Sequence, residues 1–215
     1  MESQKHILHW SPRSPFVKKV VIAAHELGAA SRLEHIRSVV PTDNPQHPIF
    51  NDNPLGKIPT LVSPDGEKVH GSSLILEYFD ALIDAGEWPS EVRMFPLETS
   101  DRLKVRQIEI VCDEMLQRLI AWMMEWYFPT VRSRAKYANS KNKIDRGLDY
   151  LAQEIEWMVE SGVNAATIAT ACTLSYLDFR FSRIVEWRDN RAGLADWHDE
   201  FSQRQSMQHN PFQEG

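Results

Sequence analysis

The chain has 215 residues, 42% of them hydrophobic and 25% charged, with a net charge of −6 at pH 7, enough for one large domain or two small ones. It has no long uninterrupted apolar stretch, which excludes a membrane-spanning helix, and its dispersed basic residues exclude a nucleic-acid footprint. The N-terminal "MESQKHILHW" lacks the apolar core of a signal peptide, so the expected location is cytoplasmic.

In chain order, "HILHW" (6–10) reads as a short strand. A helix comes next: Ser14 is its cap, Pro15 its first residue, and Phe16, Val17, Val20, Val21, Ala24 and Leu27 recur at helical spacing up to a terminating Gly28. The pair Lys18–Lys19 reads as a solvated helix face. "LEHIRSVV" (33–40) suits a second strand, and a polar, proline-rich loop covers 41–54. "IPTLVSPDGEKVH" (58–70) predicts two antiparallel strands joined by a Pro-Asp-Gly turn. Ser72 then caps a helix carrying Leu74, Ile75, Tyr78, Phe79 and Leu82. The order is β-α-β-loop-β-β-α, and the first strand pair must be parallel, because a helix separates the two.

"DAGEWPSEVRMFP" (84–96) reads as a linker, and the chain from residue 97 onward is helical in pattern. Leu103, Ile108, Val111, Met115, Leu119 and Trp122 recur three or four apart until Pro129 interrupts them. A second helix is predicted over 140–160, stopped by Gly162; a third starts at Asn164; a last one covers 194–207. The expected organisation is a small α/β domain (1–83), a linker (84–96) and an all-helical domain (97–215).

Two cysteines, Cys112 and Cys172, form neither a disulfide framework nor a CxxC pair and are expected as small buried thiols in a reducing compartment. The histidines show no ligand spacing, and His6 and His9 point to opposite faces of a strand, so no metal site is expected.

Three features of the first domain carry chemistry. Ser14 sits at a helix N-terminus, where a hydroxyl serves either as a cap or to steady an anion. Ser11, in the preceding Ser-Pro, reads as a turn residue. Ile58–Pro59 lies just before a strand, and a cis bond there turns the Ile58 backbone outward to meet an extended ligand. At "HGSSLILEYF" (70–79) a helix opens whose free N–H groups favour a carboxylate.

With "SPRSPFVKKV", "NPLGKIPTL" and "SSLILEYFD" in this order ahead of a helical domain, the chain resembles the cytosolic glutathione S-transferases, in their serine-type, bacterial-like branch. The resemblance implies a thioredoxin-like N-terminal domain followed by a C-terminal helical bundle. It implies a transferase that stabilises the glutathione thiolate for attack on an apolar electrophile. A free thiol is mostly protonated at neutral pH; Ser14, with Ser11 as runner-up, is then the hydroxyl that donates to sulfur. Ile58 pairs with the cysteinyl backbone beside cis-Pro59, and Ser72 takes the γ-glutamyl carboxylate. Lys57 and His47 read first as exposed surface residues and second as contacts to the glycyl carboxylate, since they fall in the region that reaches it. Gly71 departs from the pattern: the family places an Asp or Glu there for the γ-glutamyl ammonium, so a replacement must come from Asp65, Glu67 or a partner subunit. Some of Met115, Trp122, Met123 and Trp126 are expected to face the electrophile pocket, with core or subunit interface as the alternative for such a stripe, and Asn164 with Thr167 form a structural cap. Glutathione is implied as co-substrate, with no resident cofactor, and the chain as a homodimer. The alternative is a binding protein on the same fold without turnover; a thiol-disulfide oxidoreductase lacks its cysteine at the Ser14 corner.

Overall fold

The structure, a computed structural model, describes residues 5–38, 46–127 and 134–214. Its sheet is built on β1 (His6–Trp10), which pairs in parallel with β2 (Leu33–Arg37) and antiparallel with β3 (Thr60–Val62). β3 pairs antiparallel with β4 (Lys68–His70), giving the order β2-β1-β3-β4 of a thioredoxin-like mixed sheet. The parallel pair needs a crossover, which α1 (Pro15–Glu26) supplies. Leu8 and Leu61 face each other across β1 and β3, and both are fully buried. They share one core with Val17, Val20 and Ala24 of α1 and with Ile75, Leu76 and Phe79 of α2 (Ser72–Asp84).

Helix α1 begins where its sequence predicts, with Ser14 in extended backbone as cap and Pro15 as first residue. Helix α2 differs by one position. Its cap is Gly71, at φ 82° and ψ 146°, and Ser72 is the first helical residue. Glycine alone takes that conformation without strain, and it lets the chain turn from β4 into α2 while the Gly71 N–H donates to the Pro59 carbonyl at 3.1 Å.

The helical part comprises, among the described residues, α3 (Thr99–Tyr127), α4 (Arg134–Gln153), α5 (Ile155–Ser161), α6 (Ala165–Phe181), α7 (Ala192–Phe201) and α8 (Gln205–Gln208). Helix α6 is apolar nearly all round and accordingly central, packed against both α3 and α1. Asn164 caps it: its Oδ1 accepts from the N–H groups of Ala166 and Thr167 at 2.9 and 3.2 Å, and its own N–H donates to Thr167 Oγ1 at 3.0 Å.

Several expectations need correction. The helix predicted over 140–160 is broken at Glu154 into α4 and α5, and the one over 194–207 is α7 and α8 with a turn between. Leu103 is 64% exposed: it lies two residues before buried Val105 and so points to the opposite side of α3. Lys18 and Lys19 are buried and not solvated: α6 packs on α1, and Lys19 meets Glu109 and Asp113 of α3. The expected break at Pro129 and the 39–45 part of the loop lie outside the described residues.

Cys112 and Cys172 are free and fully buried, and burial pushes both thiols up to about 12. His6 packs edge-on against Trp88 and Tyr78, whereas His9 meets Ser38 at 2.8 Å and Asp52 at 3.0 Å. Among the described residues no group of three or more His, Cys, Asp or Glu is placed to hold a metal, and no helix is long and apolar enough to cross a membrane.

Candidate functional site

A groove of about 540 Å³ opens where the 53–59 loop, the start of α2 and the middle of α3 meet. The loop is shaped from inside by buried Asn53. Its Nδ2 donates to the Lys57 carbonyl at 3.1 Å and to Thr60 Oγ1 at 2.9 Å, and its Oδ1 accepts from the Leu55 N–H at 2.9 Å. Thr60 Oγ1 in turn donates to the Lys57 carbonyl at 2.8 Å. These bonds hold Ile58, followed by a cis bond to Pro59, on the groove wall. The Ile58 backbone N–H and C=O bond to none of the described residues.

Opposite lies the α2 N-terminus. The first intrahelical bond runs from the Ile75 N–H to the Gly71 carbonyl at 3.1 Å, so the N–H groups of Ser72, Ser73 and Leu74 precede the ladder. No side chain caps them and the first turn holds no acid. Three such donors at the positive end of a helix dipole form a site for an anion, and all three residues line the groove.

The third wall is α3, through Asp113 and Gln117. Asp113 belongs to a buried charge cluster. Lys19 Nζ donates to Asp113 Oδ1 at 2.7 Å and to Glu109 Oε1 at 3.0 Å. Ser73 Oγ lies 2.8 Å from Glu109 Oε1 and 3.1 Å from Asp113 Oδ2, so its single proton is shared between them. Arg106 adds a second cation to Glu109 at 3.1 Å. Burial holds the Asp113 carboxyl above the usual carboxylate range against the opposing pull of Lys19. Burial alone draws Lys19 down, but its two carboxylates hold the ammonium above its ordinary value.

Ser14 lines a different, smaller cavity of about 100 Å³, with Ser11, Lys18 and the C-terminal residues His209, Pro211 and Gln213. Ser14 Oγ accepts from the Val17 N–H at 3.3 Å. That bond uses an oxygen lone pair and leaves the hydroxyl proton free to donate, so the two roles read from the sequence are compatible. Ser11 is buried, its Oγ accepting from the Arg13 N–H at 3.4 Å. Lys18, one turn beyond Ser14, has its ammonium drawn down by burial and held 4.4 Å over the Phe212 ring. The tail is fixed by the Gln213 N–H donating to the Pro12 carbonyl at 3.4 Å and by Phe212 stacking on Phe179 at 5.2 Å. Phe16, two residues after Ser14, lines the groove, so the first turn of α1 borders both cavities.

The structure thus brings Ile58, Pro59, Lys57, Gly71 and Ser72 together on one groove and sets Ser14 and Ser11 beside it. His47 is elsewhere: its Nδ1 accepts from the Ile49 N–H at 3.2 Å, capping a 3-10 turn over Pro48–Asn51. The apolar stripe of α3 does not line the groove. Met115 is buried beside a separate cavity between α3 and α4, Trp122 packs on Phe181 at 5.3 Å, and Met123 Sδ accepts from the Tyr176 hydroxyl at 3.7 Å. The Trp126 side chain lies outside the described residues. Because α3 packs on α6, its apolar side turns to that core, and its polar pair Asp113 and Gln117, one turn apart, faces the groove. That i, i+4 pair is the signal in the sequence that pattern reading passed over. Asp65 and Glu67 sit in the exposed β3–β4 turn and do not line the groove.

A family model for the glutathione S-transferase N-terminal domain matches residues 13–82. The chain is 34% identical over 170 residues to an "uncharacterized GST-like protein", YibF, of Escherichia coli (strain K12), covering 78% of this chain and 79% of that protein. It is similar to the crystal structure of a glutathione transferase family member from Pseudomonas fluorescens Pf-5 with bound glutathione. That match has a TM-score of 0.85 and 30% identity, and it covers 98% of this chain and 100% of the other. A glutathione S-transferase from Methylobacillus flagellatus KT, also solved with glutathione bound, gives a TM-score of 0.85 at 28% identity over 96% of this chain and 99% of its own. With the mixed sheet, the helical part and near full-length similarity agreeing, the chain belongs to the glutathione S-transferase family.

Proposed function

We propose that the protein is a glutathione transferase that binds the tripeptide in the groove and transfers it, as the thiolate, to an apolar electrophile. The observation that carries this reading is the groove's pair of unmet backbone edges. The uncapped N–H groups of α2 suit a carboxylate, and the open backbone of Ile58 suits an extended peptide. The glutathione bound in the Pseudomonas and Methylobacillus relatives supports it. In this pose the γ-glutamyl carboxylate meets Ser72, the cysteine pairs with Ile58, and the glycyl end points toward Lys57. The thiol is directed at the first turn of α1, where Ser14 donates its free proton to sulfur. The positive end of the α1 dipole and the nearby Lys18 also favour the anion. Each unit by which the thiol pKa falls corresponds to about 1.4 kcal/mol of preference for the thiolate. The thiol proton passes to solvent as the thiolate forms, the sulfur lone pair then forms the bond to the electrophilic carbon, the leaving group departs with its electron pair, and Ser14 keeps its proton.

One observation favours a second reading, a ligand-binding protein without turnover: the C-terminal tail lies across the Ser14 cavity. An ultraviolet difference titration with glutathione between about pH 5 and 9 separates the two. Thiolate absorbance appearing well below the free thiol's pKa, followed by turnover with a panel of electrophiles, is the expected result. Glutathione that binds but titrates as it does in water would refute the transferase, and no binding at millimolar glutathione would refute it too and favour a carrier of apolar ligands or of a protein partner on the same fold.

A further inference from the structure

Glutathione carries two opposite charges on one carbon at its γ-glutamyl end. A carboxylate seated on the α2 N–H groups brings the neighbouring ammonium to the same spot, within a few ångströms by covalent geometry alone. That ammonium needs an anion beside Ser72 and Ser73. Gly71 has no side chain, and Asp65 and Glu67 are outside the groove.

We infer that Asp113, reaching from α3 of the same chain, is the carboxylate that holds the γ-glutamyl ammonium. The inference rests on the reading of the groove as a glutathione site. Three observations carry it. Asp113 lines the groove, with Oδ2 3.1 Å from the hydroxyl of Ser73, the residue next to Ser72. Its position is fixed from behind by Lys19, which is fully buried and donates to Oδ1 at 2.7 Å, so Oδ2 is the oxygen turned toward Ser73 and the α2 terminus. The charge count also favours it. Lys19 serves Asp113 and Glu109 together, and Arg106 is shared by Glu109 and Glu77. Asp113 is left with a share of one buried cation, and a ligand ammonium supplies the rest. The carboxyl's raised pKa, caused chiefly by burial, fits a group that gains from a further positive neighbour.

The test is isothermal calorimetry with glutathione and with glutaryl-cysteinyl-glycine, the same tripeptide lacking only the amino group, on the full chain and its Asp113→Asn variant. The wild type is expected to prefer glutathione by about tenfold or more, the range of a charge-assisted hydrogen bond. Asp113→Asn is expected to lose that preference while binding the desamino peptide within about twofold of wild type. An unchanged preference in Asp113→Asn, or no preference in the wild type, would overturn the assignment. Should the asparagine variant not fold, Asp113→Glu keeps the charge for Lys19 but moves it by a methylene. A fall of about fivefold or more in the preference is then expected, and an unaltered preference overturns the proposal. Failure of the wild type to bind either peptide is a different result, which removes the glutathione reading itself.

Discussion

Replacing Ser14 perturbs two things that the structure allows to be separated. As a cap, Ser14 Oγ accepts from the Val17 N–H at 3.3 Å; Ser14→Ala leaves that donor unpaired and costs about 1 kcal/mol of stability, or a few degrees in Tm for a chain of this size. As a donor to bound thiolate, the hydroxyl contributes about 1.5–3 kcal/mol, which corresponds to roughly one to two units of thiol pKa. Ser14→Asp divides the two effects, because aspartate caps as well as serine but offers sulfur a negative charge in place of a proton. Stability measured by urea denaturation should therefore fall in Ser14→Ala and stay near wild type in Ser14→Asp. The pH at which bound glutathione ionises, read by thiolate absorbance, should rise in both and further in Ser14→Asp. Ser14→Thr retains cap and donor and should resemble the wild type in both measurements. If bound thiol in Ser14→Ala ionises at the wild-type pH, the hydroxyl is a cap only.

Other outcomes rest on the same structure. Lys19 lies fully buried between two carboxylates, so Lys19→Met strands Asp113 and leaves Glu109 to Arg106, and should cost about 3–5 kcal/mol, roughly 10 °C in Tm by calorimetry; a loss below about 1 kcal/mol would show the cluster to be hydrated. Asn164→Ala removes the side-chain half of the α6 capping box, the acceptor for the Ala166 and Thr167 N–H groups, and keeps the backbone N–H that donates to Thr167 Oγ1; it should cost about 1 kcal/mol without altering glutathione affinity, whereas a selective loss of affinity at unchanged stability contradicts a purely structural role. Burial raises the Glu26 pKa, but hydrogen bonds from Arg204 and Ser206 outweigh it and hold the carboxyl below its ordinary value. A depressed folded pKa contributes stability that is present above the unfolded value and lost as pH falls through the folded one. Glu26→Gln should therefore be less stable than wild type at neutral pH by about 1 kcal/mol, allowing for solvent screening, and the difference should shrink as pH falls below the ordinary glutamate range; a constant difference across that range refutes the linkage.

Legibility in the sequence tracked the range of the interaction. Local chemistry was readable: Ser14-Pro15 opened α1, Gly28 closed it, the Pro-Asp-Gly turn joined β3 to β4, and Asn164 with Thr167 capped α6. What depended on a neighbouring element was not. Lys18 and Lys19 look like solvent-facing charges until α6 covers α1, and Met115 and Trp122 look like a ligand-facing stripe until α3 turns that side to the core. Asp113 showed only as half of a polar i, i+4 pair with Gln117, since nothing in "CDEMLQ" (112–117) says that α3 passes beside the N-terminus of α2. The cap of α2 failed at one residue: "GSS" offers two serines that cap well, and only the backbone angle at Gly71 decides that glycine takes the position.

That angle also bears on why a carboxylate should come from another helix. An acidic residue at position 71 would hold a φ of 82°, a strain of order 1–3 kcal/mol present whether or not ligand is bound. It would act on the ammonium only in the complex, with about 1.5–3 kcal/mol, so the two effects are of similar size and much of the gain is offset. Glycine removes the strain permanently. Asp113 avoids it too, because its backbone lies in the regular helix α3 and its side chain is already oriented by Lys19 before any ligand arrives. Little side-chain entropy then remains to be lost on binding, and the Coulombic gain is retained more fully as affinity. Moving the charge from the strained turn to the helix is therefore a physically reasonable solution on this fold, and it predicts that Lys19→Met, at a residue fully buried and outside the groove lining, lowers glutathione affinity in a calorimetric titration, an unchanged affinity counting against it.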